Sequence, residues 1–181
     1  MTSQDILSLQ PLFSDWSITR FKEFRGHDGG GFNLNLLLKG KMVAQVDNDG
    51  WGGGFSYRWL DKGAEEAFTV IVASLPKWVD EEDPEFPQLF PEGLDYDMDM
   101  AIEEFLIDPF VQNKQWKAAC KRNGNTVIRL HSLKKGEYIT IYQACTPDVK
   151  EGIRKKYGED LIEIVNDRYI AEWFPLKGRK K

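Results

Sequence analysis

The chain has few of the residues on which catalysis and covalent scaffolding most often rest. It holds two cysteines and two histidines in 181 residues. Two cysteines, Cys120 and Cys145, cannot staple a disulfide-built fold, and their scarcity fits a reducing compartment. There is no CxxC pair, and His27 and His131 lie far apart in the chain, so the ligand spacing of a zinc site is missing. No apolar run approaches the roughly 20 residues of a membrane-spanning helix. The opening "MTSQDILSLQPLFSDW" has neither the basic start nor the apolar core of a signal peptide. These absences predict a cytoplasmic protein that does not engage a membrane. The phosphate-cradling GxxxxGK[ST], the dinucleotide GxGxxG opening a helix, and the nucleophile motif GxSxG do not occur. Neither internal repeats nor low-complexity segments interrupt the chain.

What is present suits a packed α+β protein. Hydrophobic residues make up 41% of the chain and aromatic residues 13%, enough to build a core. The net charge of −5 conceals a polarity. Between Trp78 and Asn113 stand twelve Asp and Glu with no Lys or Arg. Removing those twelve leaves 17 acidic against 24 basic residues, and "LKGRKK" at the C-terminus supplies four of the latter.

The pattern along residues 17–60 predicts a four-stranded antiparallel meander. "FNLNLLL" sets Phe32, Leu34, Leu36 and Leu38 against Asn33, Asn35 and Leu37, the period of a half-buried strand. "SITRFKEFR", "MVAQV" and "FSYRWL" are further strands, and Gly40 supplies the short turn between the second and third. Residues 61–125 form a helical segment interrupted by an acidic loop over 76–97. Its first helix carries Phe68, Ile71, Val72 and Leu75 and stops at Pro76, with a buried strand left open by the β-branched "TVIV". A second helix places Met98, Ile102, Phe105 and Leu106 on one face. Asp108 followed by Pro109 predicts an N-cap opening a third helix, which ends at "NGN". Residues 126–174 predict a β-hairpin, a helix capped by Thr146 and ended by Gly158, and a strand. For "RYIAEWF" a strand extension, a hairpin and a terminal helix all stay open. Residues 175–181 are a basic tail. The whole reads as one α+β domain over 1–181.

Two glycine clusters, "HDGGG" and "NDGWGGG", link the first and second strands and the third and fourth. Asp-Gly and Asn-Asp-Gly are turn chemistry in their own right. In an up-and-down sheet, however, the first and third turns lie at the same end. That gathers His27, Asp28, Asp47, Asn48, Asp49 and Trp51 on one rim as candidate binding residues. Their oxygen donors would suit a hard divalent cation, although "DNDG" matches only a fragment of a calcium loop. No cofactor is otherwise predicted.

Beside the rim, Phe55, Tyr57 and Trp59 share one face of the fourth strand, as core or as a stacking platform. Glu103 and Glu104 read as solvated helix surface. Cys145, just before the Thr146 cap, is either a small buried residue or a thiol activated by a helix N-terminus. The acidic segment interleaves Glu81, Glu82 and Asp83 with Trp78, Phe86 and Phe90. A merely solvated loop has little use for those aromatic rings, so the segment is expected to dock on a basic surface.

The function expected from these features is non-enzymatic binding, through the acidic-aromatic segment and the glycine rim, with a basic protein surface as partner. The alternative is a metal-assisted hydrolase or nucleotide-processing enzyme using His27, Asp28, Asp47 and Asp49. Direct nucleic-acid binding is disfavoured by the overall acidity and the lack of a motif. The oligomeric state is not specified by the sequence.

Overall fold

In the computed structural model, residues 9–27, 29–79, 85–134 and 136–173 are described. The chain divides into two compact units, Met1–Phe110 and Val111–Lys181. The architecture is α+β, with an antiparallel four-stranded sheet first, helices next, and a three-stranded sheet with helices last.

The first unit is the expected meander. Strands β1 (Trp16–Arg25), β2 (Gly30–Leu38), β3 (Lys41–Asn48) and β4 (Ser56–Trp59) pair consecutively and antiparallel. The alternation in β2 is realised as read: Leu34 and Leu36 are buried while Asn33 is exposed. Between β2 and β3 the chain reverses through Lys39 and Gly40, both at positive φ (50° and 78°). Positive φ at both central residues matches the right-handed twist of the flanking strands.

Apolar spacing in β1 breaks period two, since Ile18 and Phe21 both belong to the inner face. A bulge resolves the mismatch: Thr19 pairs with Asn35 and Lys22 with Asn33, and Arg20 takes φ 54° between them. Ile18 is thereby buried, and Phe21 packs on Phe32 and Phe110.

Helices α1 (Lys62–Ala73), α2 (Phe86–Leu89) and α3 (Met98–Ile102) follow. Asp61 caps α1 by accepting from the Ala64 N–H at 3.2 Å. Phe68 of α1 is fully buried, with Trp16 at 4.8 Å and Phe13 at 5.9 Å between ring centroids. Phe13 in turn stacks on Phe105 at 4.6 Å.

The expected N-cap at Asp108 is not one. Asp108 is itself helical (φ −54°, ψ −52°), and the helix runs through a π-turn at Glu103–Ile107 into α4 (Asp108–Lys121). The reason is Pro109. In a regular α-helix its ring would collide with the carbonyl four residues back. One wide turn, in which the Asp108 N–H reaches the Glu103 carbonyl, absorbs the ring without ending the helix.

In the second unit the helix–hairpin order holds. Strands β5 (Asn125–Leu130) and β6 (Ile139–Ala144) pair as a hairpin, α5 (Pro147–Tyr157) follows the Thr146 cap, and β7 (Leu161–Ile164) adds on the far side of β5. The sheet order is β6-β5-β7. "RYIAEWF" belongs to a terminal helix, α6 (Asn166–Trp173), of the three readings left open. Trp116, Cys120, Val127, Val165 and Tyr169 pack on one side of this sheet. Ile128, Leu130, Ile153 and Ile164 pack on the other. Among the described residues no helix is long and apolar enough to cross a membrane.

Candidate functional site

The two glycine turns meet. A Cβ built on Gly26 would fall 2.5 Å from the Gly50 carbonyl oxygen, so the backbones touch where only glycine fits. Gly50 itself holds φ 72°. The Gly26 N–H donates to the Gly29 carbonyl at 2.7 Å, closing the first turn. In the second turn the Asn48 side chain accepts from the Gly50 N–H at 2.8 Å, and Asp49 accepts from the Trp51 N–H at 2.9 Å. Two successive side-chain turns of this kind fix the backbone that presents Trp51.

This juxtaposition carries the His27 ring onto Trp51, with centroids 4.8 Å apart and planes 5° from parallel. Trp51 is nonetheless 63% exposed. Asp47, Asn48 and Asp49 extend from the rim into an open groove of about 460 Å³ on the outer sheet face, where Phe24, Asn33 and Gln45 join them and Arg20 and Lys22 border it. Phe24 lies over Gly31, whose missing side chain leaves room for the ring. Asp28 lies outside the described residues.

One residue of this end was not anticipated. Asp99, the first-turn acid of α3, accepts from the Phe55 N–H at 2.7 Å and the Tyr57 hydroxyl at 2.5 Å. It is the point at which the acidic block is tied to the third turn. Burial, then the Asp99 hydrogen bond and charge, push the Tyr57 phenol well above its ordinary range, so it remains a donor. Nothing local marks Asp99 among its acidic neighbours, because its partners are 42 and 44 residues away. Phe55, Tyr57 and Trp59 are half-buried: Tyr57 stacks beside Trp59, and Phe55 meets Phe32 edge-on.

In the acidic segment, Phe86 is buried against Trp78 at 5.0 Å and Phe90 at 5.1 Å, while the Trp78–Leu94 bridge closes the loop base. Phe90 stays partly exposed and Leu89 more so. Glu81, Glu82 and Asp83 lie outside the described residues, as does the 175–181 tail. Glu104 accepts from the buried Tyr96 hydroxyl at 2.6 Å and so is more than solvated surface. Among the described residues no three His, Cys, Asp or Glu side chains converge as metal ligands.

No protein-family model, curated protein or solved structure matches this chain.

Both cysteines are free, and neither is activated. The Cys145 thiol is pushed up by burial, with Lys150 only partly offsetting it, so the cap at Thr146 does not make it reactive. Burial also raises Cys120, to about 11. His131 is held at the other end of the hairpin, its N–H donating to the Asp160 carbonyl at 2.8 Å. At neutral pH both thiols are expected to alkylate more slowly than a free cysteine, with Cys120 the slower. Site-resolved mass spectrometry against time checks this; rapid modification of Cys145 in the folded protein would contradict it.

Proposed function

We propose that this is a non-enzymatic binding protein of the cytoplasm that receives a basic protein surface. The observation that carries the reading is the exposed Trp51 ring, backed by His27 on joined turns and held by Asp49, which lines the neighbouring groove together with Asp47 of β3. An exposed indole face beside carboxylates is the chemistry that accepts a guanidinium or ammonium group, through cation–π and charge attraction together. The acidic-aromatic segment continues the same preference, with Phe90 and Leu89 exposed beside a block that carries no Lys or Arg. Long-range attraction from that block would speed encounter with a cationic partner.

Fluorescence anisotropy of a labelled arginine-rich peptide tests the proposal. Binding is expected at low salt and is expected to weaken as salt rises. Trp51→Ala should weaken it about tenfold, the loss of one desolvated cation–π contact with its neighbours. Neutralising Glu81, Glu82 and Asp83 together should slow association more than it speeds release. A peptide that ignores the protein at low salt, or that binds Trp51→Ala as well as wild type, would overturn the reading.

A further inference from the structure

Among the described residues four strands end a sheet, and three of them carry charged residues. β1 carries Arg20, Lys22, Glu23 and Arg25 and is bent by its bulge. β4 and β7 are four residues each and contain Arg58 and Glu163. Short length, charge and bulges are the usual devices that keep an edge single. β6 has only a bulge, where Tyr142 and Gln143 stand between the Ile141–Thr126 and Ala144–Asn125 pairs. It is six residues long, "ITIYQA", without charge or proline, and among the described residues only β5 pairs with it.

Both faces beside this edge are also open. On one face, Tyr138, Thr140 and Tyr142 border a groove of about 440 Å³ floored by Ala118, Ala119 and Arg122 of the preceding helical segment. On the other, Ile141 and Gln143 border an apolar groove of about 410 Å³ against Val149, Ile153 and Tyr157. Tyr142 is 84% exposed. A strand added to β6 would send alternate side chains into the two grooves.

We propose that the occupant is a second copy of this chain, its β6 antiparallel to the first across a two-fold axis near Ile141. Residues directly opposite in an antiparallel pair share a face. Placing Ile141 opposite its own copy therefore sets Thr140 opposite Tyr142, and each Tyr142 enters the groove beside Ala118 of the other molecule. Charge favours this occupant over an unrelated strand. α5 is polarised, with Asp148 in its first turn and Arg154, Lys155 and Lys156 in its last, and both Asp148 and Lys156 line the groove beside the edge. The two-fold axis brings two such helices side by side and antiparallel on one face, so the acidic end of each meets the basic end of the other.

Sedimentation of the full chain over a concentration series tests this. The wild type should reach a mass of twice 20.9 kDa. Tyr142→Lys puts a charge on the edge and should raise the dissociation constant about tenfold or more, with the dilute protein melting as before. Asp148→Lys and Lys156→Glu should each weaken the dimer, and the double variant should regain it, since the exchanged charges still meet across the axis. A monomer at every concentration, a dimer indifferent to Tyr142→Lys, or a double variant as weak as the single ones would each overturn the proposal.

Discussion

Gly26→Ala is expected to destabilise the first unit by about 3 kcal/mol or more, in the upper part of the range for overpacking. The added Cβ would stand 2.5 Å from the Gly50 oxygen and 2.6 Å from its Cα, and both are backbone atoms. No side chain can rotate away, so the two turns must separate. The neighbouring glycines make the comparison sharp. Gly52 holds φ 79° but has open space around its Cβ position. Gly52→Ala should therefore cost only the left-handed conformation, about 1–2 kcal/mol. Gly53 meets neither restriction, and its alanine variant should be nearly neutral. Denaturant unfolding of the three variants should give this order. Equal effects would mean that the clusters serve as separate turns.

The second large effect belongs to Glu163. Its carboxylate accepts from Arg129 at 2.8 Å and from two nitrogens of Arg168 at 2.6 Å each. The two guanidinium groups lie over the Trp116 ring, at 4.6 Å for Arg129 and 5.4 Å for Arg168. Trp116 is buried, and its indole N–H reaches the Gly136 carbonyl at 3.4 Å. Removing the carboxylate leaves two like charges flanking one ring with no anion between them. The Arg129 side chain is only 13% exposed, so water cannot easily replace the lost partner. Glu163→Ala should destabilise the second unit by about 2–3 kcal/mol, less than a fully buried pair because Arg168 is 40% exposed. Glu163→Gln should cost less, since the amide still accepts one hydrogen bond. Thermal unfolding of both variants checks the order. A neutral Glu163→Ala would place the stability in the Trp116 packing alone.

Much of the architecture was legible from local chemistry. Leu34 and Leu36 alternate with asparagines, Gly40 sits where a tight reversal needs positive φ, and Thr146-Pro147 marks a helix start. Pairing of consecutive strands then follows from short connections, and with it the meeting of the first and third turns. Asp108-Pro109 misled because the same dipeptide opens a helix or sits inside one. The choice is made by whether a wide turn can absorb the proline ring, which depends on the packing of Phe105 and Leu106. Asp99 was illegible for a different reason. It is one of several similar acids, and its selection depends on Phe55 and Tyr57 being brought to it by the fold. The open edge of β6 likewise has no sequence signature until β7 is known to lie on the opposite side of β5.

Proton–proton contacts between the His27 and Trp51 rings, observed by NMR in the folded wild type, test the shared surface most directly. Strong cross-peaks between the two rings are expected, lost in Gly26→Ala while those within β2 and β3 persist. A well-folded wild type in which neither ring reports the other would show that the two loops stand apart, and a cation would then find no joint aromatic and acidic face to bind.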